Sequence, residues 1–202
     1  MKIVLASNNK GKLEELRFML APLGLELLSQ AELSIPEAEE PFRTFVENAL
    51  AKARHASSLS GLPALADDAG LCVDAFGGLP GVDTAFYAVQ FGYPKGDDNN
   101  VKALLAQMAH LAGPEQRRAA LVSTLVAVRS MDDPEPLIAS GRVVGEIALK
   151  PVGDHGFGFD PVMFVPEFGQ TFAQLSVSMK NANSHRGKAM RQMIAQLRER
   201  WL

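Results

Sequence analysis

Two acidic residues stand side by side at Asp67-Asp68, between the apolar run Leu62-Pro63-Ala64-Leu65-Ala66 and a second one, Leu71-Cys72-Val73. Carboxylates are rarely buried unless they are paired or bound to a cation. A turn needs only one Asp and a Gly, and Ala69-Gly70 follow the pair. Two readings fit this stretch. It is a polar turn between one strand entering at Pro63–Asp67 and another leaving through Leu71–Phe76, or it is a carboxylate pair that holds a metal ion and activates water.

Three further stretches carry chemistry. Ser7-Asn8-Asn9-Lys10-Gly11-Lys12 lies between the apolar run Ile3–Ala6 and a helix marked by Leu13, Leu16, Met19 and Leu20, which Pro22 and Gly24 end. A loop from a buried strand to a helix N-terminus gathers free amides and the positive end of the helix dipole, so it suits an anion. Ser and Asn are also ordinary caps, but two lysines in a first turn oppose the dipole, which a bound anion would relieve. The spacing is not that of a Walker loop. Gly153–Asp160 alternates glycine with Phe157 and Phe159. Its aromatics either offer stacking faces for a base or pack in the core. Ser176–Lys188 is polar, and Ser184-His185-Arg186 opens a C-terminal amphipathic helix bearing Met190, Met193, Ile194, Leu197 and Trp201. That start is a second candidate acceptor site or a solvated cap.

The remaining pattern supplies the frame. Leu25–Leu28 reads as a strand and Gln30–Pro41 as a loop with four glutamates. Thr44-Phe45-Val46-Glu47 reads as a capping box for a helix to about Ser60, with Asn48, Lys52 and His55 as a polar stripe. Val101, Leu104, Leu105 and Met108 mark another helix, and Ala119–Arg129 and Leu137–Ile147 an antiparallel pair. The fold class is therefore α/β, a mixed central β-sheet flanked by helices. At 202 residues, without repeats or linkers, the chain reads as one domain, residues 1–202. A net charge of −3 argues against a nucleic-acid partner. The single Cys72 excludes an internal disulfide. With no leader pattern and no membrane span, the expected location is cytoplasmic, with no membrane partner.

An anion loop, an aromatic loop beside a basic helix start, and an acidic pair together describe a nucleotide site. In this order and spread over nearly the whole chain, they resemble the inosine triphosphate pyrophosphatase family, the dITP/XTP pyrophosphatases. The matching segments are Ser7–Lys12, Phe45-Val46-Glu47-Asn48-Ala49, Ala66-Asp67-Asp68-Ala69-Gly70-Leu71, Gly77-Gly78-Leu79-Pro80-Gly81, Gly156-Phe157-Gly158-Phe159-Asp160-Pro161 and Ser184-His185-Arg186-Gly187. The resemblance implies two lobes with a nucleotide cleft between them and hydrolysis of deaminated purine nucleoside triphosphates (ITP, dITP, XTP) to monophosphate and pyrophosphate. It implies Mg²⁺ as cofactor and a homodimer. It assigns the triphosphate to Ser7, Asn8, Asn9, Lys10, Gly11 and Lys12, and the metal to Glu40 and Asp68, with Asp68 as general base. Phe157 and Phe159 would enclose the purine, with Gly158 in the same loop and Asp160 at its edge, and Lys180, His185 and Arg186 would read its 6-keto side. Asp67 would be a supporting group, because adjacent side chains on a strand point to opposite faces.

Two departures stand out. Ala69 occupies a position where this family often has Ser, so a backbone contact to substrate survives there but a hydroxyl contact does not. Thr84-Ala85-Phe86-Tyr87 lacks the arginine often found after the Gly-Pro-Gly loop. Two other functions compete with the leading one: a pyrophosphatase with a different base preference, and a nucleotide-binding regulator without turnover. Carboxylates beside phosphates favour turnover, because mere binding gains little from them without a metal.

Overall fold

The computed structural model describes all residues, Met1–Leu202. Its central sheet is mixed, in the order β2-β1-β3-β4-β5-β6-β7. Strand β1 (Lys2–Leu5) runs parallel to β2 (Glu26–Ser29) and to β3 (Ala64–Val73). β4 (Arg118–Val128) and β5 (Leu137–Ile147) are neighbours. Their side-chain contacts run in reverse order, Arg117 to Ile147 and Thr124 to Ser140, as antiparallel strands require. β6 (Met163–Val165) and β7 (Gln170–Thr171) complete the sheet antiparallel.

The chain divides into two compact units interleaved in sequence. The first comprises Met1–Asp68, Ser123–Gly141 and His185–Leu202. Its helices are α1 (Lys10–Leu20), α2 (Phe45–Ser60) and α5 (His185–Arg200). β1 is buried on both faces, so its apolar run is continuous rather than alternating. Ile3 and Leu5 meet Leu16 and Leu20 of α1 and Met193 and Leu197 of α5, while Val4 and Ala6 meet Ala49, Ala53 and Ala56 of α2. The small alanines let α2 approach the sheet closely. Thr44 caps α2 by accepting the Glu47 amide and donating its hydroxyl to the Glu47 carboxylate.

The second unit comprises Ala69–Val122 and Arg142–Ser184. It holds a 3₁₀ helix, Gly81–Phe91, with α3 (Asp97–Gln107) and α4 (Val177–Asn183). Leu71, Val73, Tyr87, Leu104, Met108, Leu121, Val143, Phe159 and Phe172 share its core. Arg117 is buried there, and its guanidinium donates to the carbonyls of Met108, Leu111, Ile147 and Ala148. This ties the end of α3 to the end of β5.

Three expectations are corrected. The acidic stretch is not a turn: β3 runs unbroken through Asp67, Asp68 and Gly70 and ends at Val73, where a 3₁₀ turn takes over at Asp74–Phe76. The buried partners of both aspartates remove the need for solvent that a turn would meet. Residues 177–183 form a short helix capped by Ser176, which the polar composition hid. Helix α3 begins at Asp97, one turn before its first apolar residue.

Close packing in the first unit gives a direct test. A Cβ built on Gly141 would lie 2.0 Å from the His185 carbonyl oxygen and 2.6 Å from the Ala189 nitrogen. Gly141→Ala must push α5 off β5 and is expected to cost about 1–3 kcal/mol or more in urea unfolding. An unchanged midpoint would show that this contact does not set the position of α5.

Candidate active site

Because β3 stays extended, its two aspartates face opposite ways, and each has its own surroundings. Asp67 is 1% exposed. Its Oδ2 accepts from Arg186 Nη2 at 2.9 Å and Nε at 3.1 Å and meets Lys12 Nζ at 3.0 Å, while Ser123 donates its hydroxyl to Oδ1. Arg186 also reaches Glu15 on α1. Burial alone would raise the Asp67 carboxyl, but Arg186 and then Lys12 override it and hold it far below the usual carboxylate range. Burial likewise opposes the Arg186 charge, yet Asp67 and Glu15 hold the guanidinium more firmly protonated than usual. For Lys12 burial wins: with Arg186 and Lys52 nearby, its ammonium titrates below an ordinary lysine despite Asp67.

Asp68 meets a different set. Its Oδ1 accepts from Lys52 Nζ at 2.9 Å, and the same ammonium lies 2.8 Å from Glu40 Oε2. Asp68 Oδ2 is buried and has no hydrogen-bond partner. Burial pushes the Asp68 carboxyl up, against the pull of Lys52. Burial also works on Glu40, but there Lys52 prevails and the carboxyl is lowered. The polar stripe of α2 fastens the acidic loop: His55 Nε2 donates to Pro36 O, Lys52 to Glu40, and Asn48 bonds both backbone groups of Phe42. Asn8 reaches the same loop through Glu37.

Two carboxylates joined by one ammonium, one of them with an orphaned buried oxygen, fit a hard divalent cation. No three His, Cys, Asp or Glu side chains converge anywhere in the chain. Such an ion would therefore complete its shell with water and phosphate oxygens, as Mg²⁺ commonly does.

The strand-to-helix loop is built as a cap. Asn9 Oδ1 accepts the Lys12 amide, and Ser7 Oγ accepts the Asn9 amide. Helix geometry leaves the first-turn amides of Lys10 and Gly11 without an internal acceptor. Cap and anion site are thus compatible.

In the second unit, Lys180 Nζ lies 2.6 Å from Asp160 Oδ2 and 4.5 Å from the centre of the Phe157 ring. Asp160 Oδ2 also accepts the Phe157 amide. Gly156 permits this closeness, since a Cβ there would stand 2.1 Å from that oxygen. Phe159 departs from expectation. It is 3% exposed and packs in the core, so Phe157 alone offers an aromatic face. Ala69 is half-buried within β3.

A strand with two differently partnered aspartates, a capped strand-to-helix loop and an aromatic loop invite comparison with known proteins. The Ham1 family model matches residues 3–196. The chain belongs to the Ham1 family. It is 86% identical, over the full length of both, to a protein of Polaromonas naphthalenivorans named dITP/XTP pyrophosphatase, and 78% identical to one of that name from Albidiferax ferrireducens, again over both full lengths. A Coxiella burnetii HAM1 structure superposes with a TM-score of 0.89 at 42% identity, covering 98% of this chain and 99% of that one. A Mycobacterium abscessus nucleoside-triphosphatase / dITP/XTP pyrophosphatase gives 0.74 at 39% identity, covering 96% and 99%.

Against this Ham1 chain, sequence reasoning missed two partners of the acidic pair, Lys52 and Ser123, and Glu15, which holds Arg186. Lys52 was visible only as part of a polar stripe. Ser123-Thr124 interrupts the apolar run of β4, a signal that a buried polar group awaits a partner. Glu15 gave no signal. Arg186, expected as a reader of the base, is 2% exposed and engaged by Asp67 and Glu15.

The depressed Asp67 carboxyl fixes a sign. The unfolded carboxyl titrates near ~3.9, so as pH falls the unfolded chain takes up the proton first. The stabilisation is complete above about pH 5 and drains away as pH drops below ~4 towards the folded-state value. Asp67→Asn should cost about 3–5 kcal/mol at neutral pH, because Arg186 is left without its buried counter-charge. In urea titrations from neutral pH to pH 3, the variant should also lose less stability than the native chain. Parallel acid limbs in the two proteins would refute this account.

Proposed function

We propose that this chain hydrolyses deaminated purine nucleoside triphosphates, ITP, dITP or XTP, to the monophosphate and pyrophosphate. Membership of the Ham1 family, with a full-length relative at 86% identity named dITP/XTP pyrophosphatase, carries this reading. The family match over residues 3–196 supports one catalytic domain.

In this reading the first-turn amides of Lys10 and Gly11, with Ser7, Asn8, Asn9 and Lys12, receive the triphosphate. Lys12 is held towards the strand by Asp67. Glu40 and Asp68 would hold Mg²⁺, which when bound would neutralise phosphate charge and favour ionisation of water. Asp68 takes the proton from the water that attacks the α-phosphorus, its buried Oδ2 having no hydrogen-bond partner to compete for it. The bond to the pyrophosphate oxygen then breaks, and Lys12 and Lys52 offset the charge that develops. Asp67 and Arg186 support the strand from its other face.

Phe157 stacks on the purine, and Lys180, oriented by Asp160, donates to the 6-keto oxygen with help from His185. An adenine would present its own 6-amino donors to these groups and leave them unpaired, which costs far more than a missing contact gains. Ala69, within β3, and Gly158, beside Phe157, are assigned to the substrate surroundings by the same reading. A cytoplasmic location fits an enzyme of the soluble nucleotide pool, and no helix is long and apolar enough to cross a membrane. A homodimer is part of the same proposal.

The test incubates the protein with Mg²⁺ and a panel of triphosphates and identifies the products. ITP should yield monophosphate and pyrophosphate, with ATP much slower, and Asp68→Asn should lower kcat by about 100-fold or more while KM changes little. Release of orthophosphate, or equal rates on ATP and ITP, would sink the proposal.

A further inference from the structure

The loop that carries Phe157 is held at its ends, where the His155 amide donates to the Ala173 carbonyl, Gly153 packs against Ala173 and Phe159 enters the core, but it turns through glycines around Phe157. Gly153, Gly156 and Gly158 adopt φ of 87°, 77° and 62°, and glycine backbones are the most free to leave such conformations. A Cβ at Gly158 would meet nothing within 4 Å, so packing does not hold the chain at that point. Two carboxylates do. Asp160 Oδ2 accepts the Phe157 amide at 2.8 Å, and Asp97 Oδ2 accepts the next amide, that of Gly158, at 2.8 Å.

These fasteners differ. Asp160 belongs to the loop and is already bound to Lys180. Asp97 comes from 61 positions away, in the first turn of α3. That helix is firmly seated: Asn100 accepts the Ala88 amide and donates to the Ala85 carbonyl, and Val101 and Leu104 are buried. The Asp97 side chain is thus a fixed post to which a glycine-rich segment is tied.

We propose that Asp97 is a positioning residue for the nucleobase loop, pinning the Gly158 amide so that the Phe157 ring stays over the Lys180 ammonium. It touches no part of the substrate and acts only through Gly158. The proposal rests on the base-binding role given above to Phe157 and Lys180. Loss of the tie lets the loop sample open conformations, and purine binding must then reorder it. The chemistry at Asp68 is untouched, so the effect falls on KM and not on kcat.

The test uses the full chain with Asp97→Ala and Asp97→Asn. Asparagine keeps a neutral oxygen acceptor for the Gly158 amide. In Asp97→Ala, hydrogen exchange in residues 153–160 should quicken about tenfold while exchange in β1 and α2 is unchanged. KM for ITP should rise about fivefold with kcat within about twofold of the native value. Asp97→Asn should recover most of both. Unaltered exchange, an unaltered KM, or equal defects in the two variants would overturn the latch. Absence of ITP turnover in the native chain would instead sink the base-reading assignment, whereas normal turnover with an indifferent Asp97→Ala variant sinks the latch alone.

Discussion

A buried ion pair between Asp67 and Arg186 fixes the architecture of the first unit. Both side chains are almost wholly removed from water, so neither charge can stand without the other. The pair is extended by Lys12, Glu15 and Ser123 into a cluster with two cations and two anions. Four elements meet there: α1, β3, β4 and the start of α5. Replacing one partner leaves an uncompensated buried charge, which is the expensive outcome, and two guanidinium N–H groups aimed at the one oxygen Oδ2 make the geometry specific.

The consequence reaches the chemistry through the pleat of one strand. Anchoring Asp67 to one face obliges Asp68 to face the other, where the surroundings are less saturated. There a single ammonium serves two carboxylates, and one carboxylate oxygen has no donor at all. The same two residue types, side by side, thus end with opposite shifts: Asp67 is kept ionised by its cations, and Asp68 is eased towards protonation by burial. Environments that push neighbouring acids apart are how one site assigns different duties to like groups.

Much of this was legible in the residues. Period and capping signals placed α1, α2, the strand pair and the C-terminal helix, because those elements depend on local rules. The strand-to-helix loop at Ser7–Lys12 was legible because an apolar run precedes it and a helical period follows it. The partners of the acidic pair were not legible in the same way. Ser123, Glu15 and Arg186 meet Asp67 or one another across separations of 56 to 171 positions, which no local pattern encodes. The turn reading at Asp67-Asp68, one of the two the stretch allowed, fails for this reason: distant cations let a strand bury charges that a short window would send to solvent. Phe159 shows the converse. Alternation with glycine placed both aromatics in one loop, but only tertiary packing decided which one entered the core.

The interleaving of the two units has a consequence for synthesis. When a ribosome delivers β3, Lys12 has already been made, and Ser123 follows 56 residues after Asp67. The guanidinium that neutralises Asp67 arrives 119 residues later. Until then Asp67 has Lys12 but not the guanidinium, and the cluster that buries it is incomplete. The nascent chain therefore cannot close its first-made unit in order of emergence, and completion of the site waits on the docking of α5. High sequence separation of this kind slows folding by raising the loop entropy to be overcome before contacts reward it. The same helix also brings Met190, Met193 and Leu197 to the core of the first unit, so one late segment completes both the core and the charge cluster.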